Sequence, residues 1–475
     1  MRVDLIESDR IPIIGVGESL SPSMASTLQN LGVNEGDFIR ATDASFKLAG
    51  YFIGWESSHN AKPSSWVNPF VAYTGGALEF ERFELAVADG QPPADYARIV
   101  SPCRDAIDSC LGPRRIGQND YEAVLRYAYH TDASKFAPFL RDIAVARGVR
   151  QIIDDVVEVE LDERGFVAAL QLERIGRFPV ELVIDATGFA GVVINRALGV
   201  PMLDYGRHLI NDRAVVMQIA HADMAADIEP ATRSTALSSG WAFRVPLFSR
   251  TGNGYIYSSA HSSDDEARRE FVDYLGGAAD ESATRVIKMR VGRSEVAWSK
   301  NCVAIGLAAG FVEPLEASAI YTVETSLKWL FNYFPDSDYS SALARRYNDR
   351  TAALYDEVVD YIVLHYHLSN RADTPYWRAQ RRDIAIPERL AANLEIWKNT
   401  LPIRGDFPAV NYFDESTYTA ALFGKGFYAG GSIHPERRLL QSEWDRTKRS
   451  ISMTNRQAVA TLPSHRKLLE SIRQS

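Results

Sequence analysis

The period of the hydrophobic and polar positions changes several times along this chain, and the changes mark its elements. Val3-Asp-Leu-Ile-Glu7 is a short apolar run ending in an acid and predicts a strand. Helical spacing follows over 24–31, a further helix is expected to start at 117–122, and 132–147 is amphipathic. The stretch 149–160 alternates as one strand, and Asp162-Glu-Arg-Gly165 reads as a hairpin turn. Leu182-Val-Ile-Asp185 predicts a strand that ends in the small residues Ala186-Thr-Gly188, the kind of turn found where sheets bind ligands. Residues 239–246 and 254–259 read as antiparallel strands whose aromatics either line a pocket or, more commonly, fill a core. Beyond Pro335 the pattern turns helical over 339–367, Thr374-Pro-Tyr-Trp377 interrupts it, and the polar end, 466–475, is expected to fray.

The densest stretch is Asn301-Cys-Val-Ala-Ile-Gly-Leu-Ala-Ala-Gly-Phe-Val-Glu-Pro-Leu-Glu-Ala-Ser-Ala-Ile320. A buried strand at 303–305 runs into small residues that let a bulky group approach the backbone. Pro314 breaks the chain, and a helix is predicted from Ser318 to about Tyr333. Glu313 and Glu316 therefore flank a turn that feeds a helix N-terminus, whose free N–H groups suit an anion. An ordinary turn with two solvated glutamates fits the same letters. Upstream, Gly15-Val-Gly17 suits a tight turn, which by itself is a weak signal. Lys47 alternates with apolar neighbours, so it is either a solvent-facing strand lysine or a partly buried ammonium available as donor or nucleophile. Residues 57–111 are irregular and aromatic-rich, and predict an insertion over a pocket rather than core.

Composition narrows the class. A 475-residue chain of 46% hydrophobic and 24% charged residues has the make-up of a soluble globular protein of one elaborated or two domains. Its net charge of −9 gives no basic stripe, so nucleic acid is not an expected partner. No apolar run approaches the ~18 residues of a membrane span, and the charged first ten residues are no signal peptide. The expected compartment is cytoplasmic. Cys103, Cys110 and Cys302 lack metal-ligand spacing and read as reduced thiols, so no metal is expected.

Taken together, these segments resemble the flavin-dependent tryptophan halogenase family nearly from end to end. The matching stretches are Leu5-Ile-Glu-Ser8, Ile14-Gly-Val-Gly-Glu18, Ser45-Phe-Lys-Leu48, Ile184-Asp-Ala-Thr-Gly-Phe189, Asn211-Asp-Arg-Ala214 and Gly240-Trp-Ala-Phe-Arg-Val-Pro-Leu247. Later come Gly254-Tyr-Ile-Tyr-Ser-Ser259, Val291-Gly-Arg293, Trp298 with Asn301-Cys302, Phe311-Val-Glu-Pro-Leu-Glu316 and Asp373-Thr-Pro-Tyr-Trp377. The resemblance implies an α/β fold: an FAD-binding Rossmann-like domain of the flavin monooxygenase/halogenase type with a mixed sheet, over 1–335. The insertion at about 57–111 would cover its substrate pocket, and a mostly helical part, 336–475, would complete the substrate side.

It also implies a chemistry. Reduced FAD, O₂ and a halide give hypohalous acid, which reaches a catalytic lysine, here Lys47. Glu316 matches the second catalytic residue, beside the aromatic substrate. Ser318 and Ala319 match the positions whose N–H groups hold the halide. Glu7 would take the flavin nucleotide's ribose, or is merely a strand-end carboxylate. Gly15, Gly17 and Ser19 would lie along a strap beside the flavin, with Val157, Leu307 and Ile320 against it. The family's glycine-rich phosphate turn belongs upstream of Glu7, before the first residue of this chain. Implied partners are a small aromatic substrate and a separate NAD(P)H-dependent flavin reductase; a homodimer is common among these enzymes.

Three positions depart from the pattern. An indole of the family's Trp-x-Trp is Phe243, its Ser is Ala317 and its Gly is Ala319; if position 319 needs a positive φ, alanine there costs about 1 kcal/mol. Nothing in 57–111 or 405–435 matches the residues that clamp free tryptophan, so the expected substrate is an electron-rich aromatic of indole, pyrrole or phenol type. A flavin monooxygenase that hydroxylates, and a truncated, catalytically dead homologue, are the alternative readings.

Overall fold

The structure is a computed structural model that describes residues 2–11, 13, 15–57, 63–70, 96–276, 279–408, 412–428 and 441–475. The chain forms two compact units, one of Met1–Gly15, Ala133–Gly206 and Arg290–Asp356, the other of Val16–Asp132, Arg207–Met289 and Glu357–Ser475.

The first unit carries two parallel strand pairs. Asp4–Glu7 runs beside Arg150–Ile153, with Glu7 opposite Ile153, and Val183–Asp185 runs beside Cys302–Ala304. The antiparallel strands Val156–Leu161, Val167–Leu172 and Gly176–Pro179 form a separate sheet, joined first by the hairpin expected at Asp162. The alternation at 149–160 is thus two strands rather than one. Buried Asp154 makes the corner: its carboxylate accepts the N–H groups of Asp155 at 2.8 Å, Arg174 at 3.1 Å and Ile175 at 3.0 Å, which turns the chain into a second sheet. Helices Ala133–Ala146 and Ser318–Asn332 fall where their periodicity places them.

The second unit is built on a seven-stranded mixed sheet. Its order is Arg285–Lys288, Arg213–Ala220, Arg250–Tyr257, Gly240–Pro246, Ala231–Ala236, Ala49–Ile53 and Ser65–Pro69. Tyr255, Tyr257 and Trp241 are buried in it, so these aromatics are core. The strand Ser65–Pro69 corrects the reading of 57–111 as pure insertion: Trp66 sits opposite Phe52 and stacks on it with centroids 4.3 Å apart. Residues 58–62 and 71–95 of that stretch lie outside the described residues. A second, three-stranded sheet has the order Glu18–Ser19, Ala128–Thr131, Ser45–Lys47.

Three helical expectations also change. Residues 117–122 form no helix, because Gly117 and Tyr121 take positive φ and the Tyr121 N–H is donated to Glu35 instead. Thr374 does not merely interrupt; it caps a new helix, Pro375–Arg382, accepting from the Trp377 N–H at 3.3 Å. The chain end does not fray either. Helix His465–Gln474 buries Leu468, Leu469 and Ile472 on one face, and Arg40 donates to its Ile472 carbonyl at 2.7 Å. Among the described residues no helix is long and apolar enough to cross a membrane.

Candidate functional site

Two sets of predicted site residues assemble, one in each unit. In the second unit Lys47 is the last residue of the strand Ser45–Lys47 and is only 4% exposed. The solvent-facing reading therefore fails: its ammonium lies 5.2 Å from the centroid of the Phe70 ring, a cation–π contact shielded from water. The strand pairs with Ala128–Thr131, Ser45 opposite His130 and Lys47 opposite Ala128. On the far side of Ala128–Thr131 lies Glu18–Ser19, with Ser19 also opposite His130. Ser19 therefore shares a small sheet with Lys47, and Gly17 directly precedes the Ser19 strand.

Val16 and Gly17 cross the large sheet at Gly252. A Cβ there would meet the Val16 carbonyl oxygen at 2.5 Å, so only glycine lets the two backbones pass. Arg250, paired with Asp132 at 2.7 Å, donates to that same carbonyl. The Glu18 carboxyl has no hydrogen-bond or ion-pair partner among the described residues, and desolvation pushes it up to about 7.

Both edges of the lysine strand meet histidines. His130 Nε2 lies 2.8 Å from Thr232 Oγ1, which lies 3.1 Å from Ser19 Oγ, and its Nδ1 is 3.1 Å from the Pro246 carbonyl. On the opposite edge the Phe46 N–H is donated to His465 Nε2 at 2.9 Å, while His465 Nδ1 lies 3.0 Å from the Ile228 carbonyl. Burial holds His465 down to about 4. An unfolded histidine titrates near 6.5, so as pH falls from there towards 4 the unfolded chain binds a proton that the folded one refuses. Stability drops across that window, by roughly 3 kcal/mol from this group, and above pH 6.5 the group adds no slope. Urea midpoints at pH 7, 5.5 and 4.5 will fall more steeply for the wild type than for His465→Gln.

In the first unit the strand Cys302–Ala304 leads into the turn Gly306–Ala308 and the short strand Gly310–Phe311. Residues 312–316 follow, with Glu313 and Glu316 both buried, and the helix begins at Ser318. The glutamates are not solvated loop residues. The N–H groups of Ser318 and Ala319 have no acceptor among the described residues, as a first helical turn dictates. Ala319 is helical; the left-handed residue is Ala317, with φ 58°. Ala317→Gly should therefore raise stability by about 1 kcal/mol, read as a higher melting temperature.

Leu307 and Ile320 are half-buried around this turn. Glu7 stands at its strand end as expected, engaged by Gln151 and, at 3.7 Å, by Arg141. Val157 is 58% exposed on the strand Val156–Leu161. Asp185 turns inward, accepting from the Val193 and Ile194 N–H groups at 2.9 and 2.8 Å to fix the turn after its strand.

The family described as tryptophan halogenase matches residues 1–437. The chain belongs to the tryptophan halogenase family. It is 32% identical to the 7-chloro-L-tryptophan 6-halogenase KtzR of Kutzneria sp. (strain 744), over 100% of this chain and 95% of that protein. The crystal structure of a tryptophan halogenase from Shewanella frigidimarina NCIMB 400 superposes with a TM-score of 0.91 at 31% identity, over 100% of this chain and 91% of that one. BrvH, a flavin-dependent halogenase from Brevundimonas sp. BAL3, superposes with a TM-score of 0.86 at 32% identity, covering 99% and 93% of the two chains. This halogenase is an oxidoreductase of flavin-dependent type, and FAD is the cofactor its family implies.

The residues of the first unit fit an anionic dinucleotide. Arg290 reaches the Leu307 carbonyl and Asn195 at 3.4 Å each, and its buried Nε has no partner among the described residues. Desolvation and then the neighbouring Arg196 hold its pKa down, so the Gly306–Ala308 turn sits in positive potential that an anion would relieve. Sequence reasoning missed Arg290, Glu18, His130 and His465. Each is one polar letter in an ordinary segment, and only the partners brought by the fold set it apart.

Proposed function

We propose that this halogenase installs halogen on an electron-rich aromatic, of indole, pyrrole or phenol type, with Lys47 and Glu316 as its catalytic residues. The observation that carries the reading is Lys47, a buried ammonium facing an aromatic ring on a strand that the family's pattern already singles out. The relatives' names, tryptophan 6- and 7-halogenases among them, favour an indole within that class.

When bound, reduced FAD supplies with O₂ the two oxidising equivalents that convert halide to hypohalous acid. Lys47 donates a hydrogen bond to that acid and orients its halogen towards one ring carbon. The C–X bond forms as the O–X bond breaks. Glu316 stabilises the cationic ring and takes the proton from the substituted carbon, and the released hydroxide leaves as water. The N–H groups of Ser318 and Ala319 hold the halide. Gly15, Gly17, Ser19, Val157, Leu307 and Ile320 would hold the flavin, Glu7 would take its ribose, and a separate NAD(P)H-dependent reductase would supply it reduced.

The test is a reconstituted reaction of the protein, FAD, a flavin reductase, NADH, O₂ and bromide with a panel of indoles, pyrroles and phenols. Product carrying the two-isotope bromine pattern supports the reading. Oxygenated product formed equally without bromide would replace it with hydroxylation.

A further inference from the structure

The strand that carries Lys47 is short, and a three-residue edge strand holds its position poorly without help. The structure supplies that help with two histidines, both fully buried. His130 lies on the central strand of the small sheet, opposite Ser45 on one side and Ser19 on the other. Among the described residues its Nδ1 reaches only the Pro246 carbonyl at 3.1 Å and Ser45 Oγ at 3.3 Å. Nδ1 therefore carries the proton. Nε2 is left as an acceptor for the Thr232 hydroxyl, which in turn accepts from Ser19. Ser45 Oγ donates to the same Pro246 carbonyl at 2.5 Å, so imidazole and lysine strand are gripped at one point.

His465 works the other edge. An edge strand leaves an N–H unpaired, and here the Phe46 N–H, next to Lys47, finds His465 Nε2. The His465 Nδ1–H goes to the Ile228 carbonyl, which fixes the same tautomer as in His130. Both imidazoles must stay neutral to accept these bonds. Burial enforces this first in each case; around His130 the charge of Lys47 and the ring of His465 oppose protonation further, against the pull of the Pro246 carbonyl. For His465 the opposing charge is Arg466, and the Ile228 carbonyl pulls the other way.

We propose that His130 and His465 are the positioning residues of Lys47: two neutral imidazoles, one at each edge of its strand, that fix the lysine's main chain and, through Thr232, tie it to Ser19 of the strap. The inference rests on the reading of Lys47 as the catalytic lysine. Neither histidine touches the reacting atoms. Their effect is on where the ammonium stands.

The test uses full-length His130→Leu, His130→Gln, His465→Leu, His465→Gln and Thr232→Val proteins with wild-type circular dichroism. On protein without flavin, Lys47 acylation by a small amine-reactive anhydride, with carboxylate as the leaving group, is followed by peptide mass spectrometry. It should rise several-fold in the leucine variants and stay near wild type in the glutamine variants. In the bromination assay the leucine variants should lose about 10-fold or more in kcat with KM little changed, and release more oxidised bromide to a trapping dye in solution. Thr232→Val, which removes the hydroxyl joining His130 Nε2 to Ser19 but leaves the Pro246 contact in place, should show the same direction at smaller size. If the leucine variants do not fold, the comparison rests on Thr232→Val and the glutamine pair. Folded variants with unchanged labelling and a kcat that falls only in step with melting temperature would reduce both histidines to packing and overturn the proposal. Bromination that survives Lys47→Met would instead sink the reading of Lys47 itself.

Discussion

Lys47→Met will abolish bromination of the aromatic while leaving the protein folded. The two halves of that expectation come from the same geometry. The ammonium is only 4% exposed and faces the Phe70 ring, so it is shielded from water where it stands. Methionine matches the volume of the lysine stem and packs in the same space. What it cannot do is donate a hydrogen bond. Hypohalous acid would then meet the ring unaimed, and the loss of one positioned proton donor is worth about 10²–10⁴ in rate. Brominated product per unit time, read by mass spectrometry beside a melting curve, checks both halves. Retention of a tenth of the wild-type turnover, or a collapse in melting temperature, would contradict them. Glu316→Gln should fall less far, because its amide still stabilises positive charge but no longer accepts the ring proton.

How much of this could be read from the letters depends on whether a residue's role is local. The strand, turn and helix of 302–332 carry their own punctuation in Gly306, Gly310, Pro314 and an apolar stripe, and the structure follows it. The reading of 149–160 failed because the apolar alternation is continuous; what splits it is Asp154, reaching N–H groups 20 and 21 residues away. The end of the chain looked like a tail because its charges hide Leu468, Leu469 and Ile472, three apolar residues at helical spacing. Lys47 and Glu316 could be put forward as candidates from the letters because they stand in segments that resemble the family's pattern. His130, His465 and Arg290 could not. A buried histidine and an exposed one are the same letter, and their tautomers and charges follow from carbonyls and hydroxyls more than 90 residues distant in the chain.

Glu35 belongs to the same illegible group, and its replacement by glutamine should cost about 3–5 kcal/mol, the largest stability loss expected here. The carboxylate is fully buried and satisfied by four donors. Arg114 Nη1 lies 2.6 Å from Oε2, with the Tyr121 N–H at 2.9 Å, and the Tyr127 and Tyr129 hydroxyls each donate to Oε1 at 2.5 Å. Burial, followed by this carboxylate, drives both phenols far above their usual range, so they remain donors at any pH the protein meets. Glutamine keeps the shape but offers one acceptor and an unwanted donor, and it leaves Arg114, itself 2% exposed, with only the longer pair to Asp120 at 3.7 Å. The damage reaches the site because Phe46 packs on Tyr127, with centroids 5.0 Å apart, and beneath the Arg114 guanidinium at 5.8 Å. Phe46 is the residue next to Lys47. A double-mutant cycle with Arg114→Met separates the charge pair from the rest. If the pair dominates, Glu35→Gln/Arg114→Met will be more stable than the sum of the single losses by about 2–3 kcal/mol, the coupling expected of one hydrogen-bonded ion pair. Simple additivity in urea unfolding would mean instead that the tyrosines, not the arginine, hold Glu35 in place.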